Sequence, residues 1–219
     1  MDPQQRAEEH LRVIRSLMER ASLYCAISAP TALVGGGLAG LVAVAAWFNL
    51  LGNFGTKTVL ARAGEWNARA FIVIWLSVLA LTLFANTCFI WRKSRREGGP
   101  FFTAGLKLAI ASAAPIVLIT GILTSLFWKN NETAESLPIL AVTWIICYGV
   151  ALLATANFAP RSLVILGWLF LLSGIVAVLG LQWFNHAPTR RACAAMGLTF
   201  GLYHLLYAGL TWPTRSRKE

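Results

Sequence analysis

Six stretches of this chain run without a single Asp, Glu, Lys or Arg: roughly Thr31–Leu51, Ala70–Trp91, Leu108–Trp128, Leu137–Phe158, Ser162–Phe184 and Ala192–Trp212. A hydrocarbon layer about 30 Å thick is crossed by about 20 helical residues, and each stretch reaches that length. Lipid offers no partner to an unpaired backbone N–H or C=O, so the spanning form is either a helix or a closed barrel. A barrel needs apolar and polar residues in alternation. Ile116-Val117-Leu118-Ile119 and Leu169-Phe170-Leu171-Leu172 are apolar at every position, which excludes it. The predicted fold class is therefore all-α, a polytopic membrane helical bundle with six transmembrane helices and an N-terminal amphipathic cytoplasmic helix. The predicted division is 1–29 for that helix, 30–212 for the transmembrane domain and 213–219 for a basic cytoplasmic tail.

Composition agrees. Only 13% of the 219 residues are charged, against about 25% in soluble domains. An ordinary soluble domain, a disordered chain and a disulfide-stapled scaffold are excluded. Trp47, Trp66, Trp91, Trp128, Trp183 and Trp212 fall near predicted span ends, where an indole suits a membrane interface. Trp75, Trp144 and Trp168 lie deeper and are expected to fill space between helices.

Orientation follows from the 19 basic residues. With the N-terminus inside, Lys57, Arg62, Arg69, Lys129, Arg190 and Arg191 face outward and the other thirteen face the cytoplasm. That bias predicts that both termini are cytoplasmic. The net charge of +10 is then a topology signal that needs no nucleic acid. The first 20 residues carry eight charges and do not read as a signal peptide, so the first span is expected to act as a retained anchor.

Residues 4–24 place Leu11, Ile14, Met18 and Ala21 at spacings of three and four, an apolar stripe opposite Glu8, Arg12, Arg15 and Glu19. The stripe rests on the membrane surface or the bundle, or it docks a cytosolic protein partner. Pro30 separates this helix from the first span. Gly36 and Gly40 there, and Gly197 and Gly201 in the last span, recur four apart and are helix-contact candidates. They offer faces for a homo-oligomer. Arg15-Ser16-Leu17-Met18-Glu19-Arg20-Ala21 followed by Ile27-Ser28-Ala29-Pro30-Thr31-Ala32-Leu33-Val34-Gly35-Gly36 resembles the opening of a family of uncharacterised bacterial multi-pass membrane proteins. The resemblance implies a bacterial inner membrane and brings no substrate, cofactor or catalytic residue with it.

Chemistry is sparse. None of the nine acids falls inside a span, whereas proton pumps and ion transporters hold ionisable groups at membrane depth. Cys25, Cys88, Cys147 and Cys193 form no CxxC pair and spread across the predicted membrane, so neither a metal site nor a disulfide is expected. No phosphate-binding loop, HExxH or GxSxG motif occurs, and no cofactor is expected. His10 and His186 belong to polar segments. His204 is the one imidazole inside a span, on a helical strip with Gly197, Gly201 and Ala208. It either hydrogen-bonds across a helix contact or serves as a proton or ligand site. Beside it run Thr199, Tyr203 and Tyr207, four apart and on one face. With Tyr148, Thr155, Thr82, Asn86, Thr120, Thr124 and Asn157 these residues are candidates to line a ligand cavity.

The resulting expectation is a non-enzymatic membrane component that binds or regulates a partner. The alternative is a small transporter or channel for a neutral or anionic solute, running through an interior lined by Tyr, Thr, Asn and His.

Overall fold

The computed structural model describes residues 9, 29–48, 50, 66, 68–97, 104–129, 134–157, 159–180 and 187–212. The amphipathic segment 4–24, the connection 51–65, Cys25, His186, Trp183 and the basic tail lie outside them, Glu9 excepted. Among the described residues 93% are helical and none is in a strand, which disposes of the barrel. Six helices are long and apolar enough to cross a membrane. They are α1 (Ala29–Trp47), α2 (Ala68–Glu97), α3 (Ala104–Lys129), α4 (Leu137–Ala154), α5 (Arg161–Gly180) and α6 (Pro188–Thr211).

The ends follow backbone chemistry more than hydropathy. Proline occupies the first turn of α1 (Pro30), α4 (Pro138) and α6 (Pro188), where its missing N–H costs nothing. α4 stops four residues before the apolar run does. There the Thr155 and Ala156 amides turn back onto the Leu152 and Leu153 carbonyls, and Thr155 Oγ1 donates to Leu152 O at 2.7 Å. α2 does the reverse and continues past Trp91 through Arg92 to Glu97, with the Arg95 guanidinium 5.2 Å above the Trp91 ring. The charged positions of α2 and α3 sit near helix ends: Arg69 is the second residue of α2 and Lys107 the fourth of α3. Inside α6, residues Gly197–Tyr203 form a π-helical segment, a widening that hydropathy does not announce.

Two antiparallel pairs carry the closest packing. In α1–α6, a Cβ added to Gly36 would lie 2.9 Å from Gly201 O and 3.1 Å from His204 Cβ, and one on Gly197 would run into Ala43. In α4–α5, a Cβ on Gly149 would lie 2.8 Å from Leu171 N and 2.9 Å from Gly167 O, while one on Gly174 would overlap Ile146. The expected glycine faces meet within the chain: Gly36 of α1 lies against Gly201 of α6, and a Cβ on Gly201 would lie 3.2 Å from Gly40 N. The equivalent α4–α5 contact went unforeseen. α4 and α6 lie side by side between these pairs and hold the buried core of Leu140, Ile145, Ala192 and Met196.

α2 and α3 flank this core differently. The start of α2 is buried through Phe71, Ile72 and Trp75, and farther along it meets α1, where Thr82 faces Gly35. α3 has none of its apolar window buried. Its fastenings include Trp144 Nε1, which donates to Thr124 Oγ1 at 2.9 Å, and the Arg69 guanidinium of α2 at 5.7 Å over the Trp128 ring. Two tryptophans depart from expectation. Trp66 is buried, its amide donating to Thr189 Oγ1 at 3.0 Å, and Trp168 is exposed, so their roles are exchanged. Trp75 and Trp144 do fill space between helices.

Backbone contact at glycine gives a direct test. Gly149→Leu is expected to lower stability by about 1–3 kcal/mol or more, since α5 must move away. Gly121→Leu, where nothing lies within 4 Å, should be neutral or stabilising by up to about 1 kcal/mol. Thermal unfolding of the two variants in one detergent measures the difference.

Candidate functional site

The polar side chains of the bundle interior gather where α4, α5 and α6 meet. Tyr148 of α4 and His204 of α6 are joined, with the phenol oxygen 2.8 Å from the imidazole Nε2. His204 reaches this position because the glycine strip of α6 lies against α1, its own Cβ close to Gly36, which leaves the ring to extend toward α4. Its other nitrogen, Nδ1, is buried, and makes no hydrogen bond of proper geometry among the described residues. The backbone of Phe200 and Thr199 in the π segment lies close to the imidazole. Tyr148 and His204 share one hydrogen bond, whose donor is the phenol or the imidazole according to the ring's tautomer.

An aromatic shell encloses the pair. Phe170 of α5 is wholly buried, its ring centroid 4.7 Å from that of Tyr148, 4.9 Å from Phe200 and 5.6 Å from His204, with the rings edge to face. Phe200 lies nearly parallel to His204, at 6.1 Å and 9°. Such contacts add about 0.5–1.5 kcal/mol each beyond burial. Phe170 can occupy the centre because Gly167 and Gly174, on the same face of α5, let α4 come close around it.

The second predicted strip of α6 turns toward α5. Tyr203 shares a 2.7 Å hydrogen bond with Ser173, and Tyr207 interacts with Ser162. Thr199, on the same strip, is buried and returns its hydroxyl to Ala195 O at 2.8 Å. Asn86 stands apart in α2, where its Oδ1 accepts from Thr31 Oγ1 at 3.0 Å on α1. Thr82, Thr120 and Thr124 donate to carbonyls of their own helices. Two candidates are misplaced by the sequence reading: Asn157 and Thr155 lie in the turn that ends α4, Asn157 exposed and Thr155 capping a carbonyl. The structure thus unites Tyr148, His204 and Tyr203 around Phe170 and separates them from Asn157.

Residues missed at the sequence level are Phe170, Phe200 and Ser173. Phe170 did carry a signal, since Leu163, Gly167, Phe170 and Gly174 recur at helical spacing with one large ring between two glycines. No group of three or more His, Cys, Asp or Glu able to hold a metal occurs among the described residues. Chemically, the cluster can lock three helices together and hold one buried imidazole against a phenol.

Tyr148→Phe leaves Nε2 without its hydrogen-bond partner and should destabilise by about 1–3 kcal/mol. Phe170→Ala should cost about 3–5 kcal/mol. The double variant Tyr148→Phe, His204→Leu removes both polar partners and should recover part of the Tyr148→Phe loss in the same unfolding assay. No protein-family model matches this chain, and neither a curated protein nor a solved structure is significantly similar to it.

Proposed function

We propose that this chain is an integral membrane protein that crosses the bilayer six times and acts by binding a partner within or at the membrane, without enzymatic activity. The observation carrying this reading is α3, an apolar helix of which no part of the most hydropathic window is buried in the chain. Val117, Leu118, Ile119 and Ile122 are all more than half exposed along it. A span kept outside the core presents a continuous lateral face to other membrane components. The exposed part of α2, with Leu79, Leu83 and Phe84, adds to that face.

The interior supports the same reading. The side chains considered for a solute path are bonded to one another or to their own helices, as Tyr148 is to His204 and Thr31 to Asn86. Transport of a small neutral or anionic solute ranks second, and what favours it is the buried His204 Nδ1. The partner is a second copy of this chain or a cytosolic protein held by residues 4–24. The basic residues favour both termini in the cytoplasm, and the resemblance of residues 15–36 points to a bacterial inner membrane.

Two measurements test the proposal. A photo-reactive residue at Leu118 or Ile122 should yield a discrete protein adduct in cells, and adducts to lipid alone would overturn partner binding through α3. A fluorescent protein fused after residue 219 should fluoresce while alkaline phosphatase fused after residue 186 is active. The reverse pattern would overturn the orientation.

A further inference from the structure

A groove of about 340 Å³ runs between α1 and α6 on the outside of the bundle. Its walls include Gly40, Val44 and Trp47 from α1 and Ala194, Leu198 and Leu202 from α6. Every lining side chain is apolar or absent, and the volume lies in the lower part of the range of small-ligand sites, about 300–1,000 Å³. Gly40 explains the space. Its backbone touches Gly201, whereas a Cβ on it would meet nothing within 4 Å, so its missing side chain leaves the cleft open. The π segment forms much of the opposite wall through Gly197, Leu198 and Leu202.

Charge marks one end. Arg190 precedes Ala194 by four residues, one helical turn and about 6 Å along the same face of α6. Its neighbour Arg191 points elsewhere, with one guanidinium nitrogen 3.8 Å from Glu135 in the short turn that precedes α4. Trp47, an amphipathic ring, stands at this end of the groove and is 43% exposed. An apolar slot open at the side, with an arginine one turn beyond it on the same helix face and an indole at its mouth, complements a molecule with a hydrocarbon tail and an anionic oxygen-rich head.

We propose that the α1–α6 groove holds one acyl chain of an anionic phospholipid whose phosphate is bound by Arg190. The site rests on the reading of α1 and α6 as membrane spans. It is independent of what binds α3.

Native mass spectrometry of the purified full chain, with phosphatidylglycerol or phosphatidylcholine of equal chain length added, tests it. One phosphatidylglycerol should be retained at least fivefold more than phosphatidylcholine. Gly40→Leu fills the groove from one wall and Ala194→Phe from the other; each should lower retention at least fivefold. Arg190→Gln should make the two lipids equivalent. Thermal unfolding identifies whichever filling variant fails to fold, and the other then decides. Equal retention of both lipids by the native chain, or retention unchanged in the filling variants, overturns the site. A dimer that Gly40→Leu abolishes would give the groove to a second copy and overturn it as well. Alkaline carbonate extraction separates the two levels. A chain released from membranes defeats the spanning reading itself, whereas one that stays bound without selecting phosphatidylglycerol defeats the lipid site alone.

Discussion

Main-chain contact across glycine sets how near the helices of this protein can come, and the rest of the architecture follows from where it occurs. On the reading proposed above, lipid surrounds these helices, which then gain little from burying one apolar side chain against another, because the solvent is equally apolar; van der Waals contact and a few hydrogen bonds hold them. Gly36 and Gly201 in one pair, and Gly149 and Gly167 in the other, let backbones meet where any side chain would intervene. Once α1 is drawn onto α6 and α4 onto α5, the large rings of Phe170 and Phe200 have one space left to them. They fill it around Tyr148 and His204.

Hydroxyl groups divide into two kinds with different consequences. Ser77, Thr87 and Thr143 donate to carbonyls one turn back in their own helices, so their helices can be read as polar and yet show a hydrocarbon surface no free donor at these positions. Tyr148, Tyr203 and Thr31 instead reach a neighbouring helix. Interhelical bonds of this kind contribute about 0.6 kcal/mol on average, so their value here is directional. They set which face of α6 meets α4 and which meets α5, something shape-neutral leucines cannot specify.

The six helices were legible because charge is excluded from their long middle stretches and kept near their ends, a signal that needs no packing information. Gly36, Gly40, Gly197 and Gly201 were legible as contacts since helical spacing puts each pair on one face, although their matching to each other was not. Tyr203 and Tyr207 were correctly placed on one face, yet its target, α5, depends on interhelical rotation that no single helix encodes. Asn157 was misplaced for a physical reason: hydropathy continues to Phe158, whereas the chain ends α4 earlier, with Thr155 capping its last turn ahead of Pro160. The π segment was invisible for a related reason, since it alters backbone hydrogen bonding without altering composition.

That widened turn gives α6 slack in its residue count. A wide turn takes up an additional residue while the helix on either side keeps its facing, so Ala192 and Cys193 stay in the core above as His204 and Ala208 do below. Loss of one residue between 197 and 203 can be absorbed as the turn tightens to ordinary α geometry, whereas the same loss at 205 or 206 would swing everything beyond it by about 100°. Length is thus forgiven at the centre of the last helix and enforced close by.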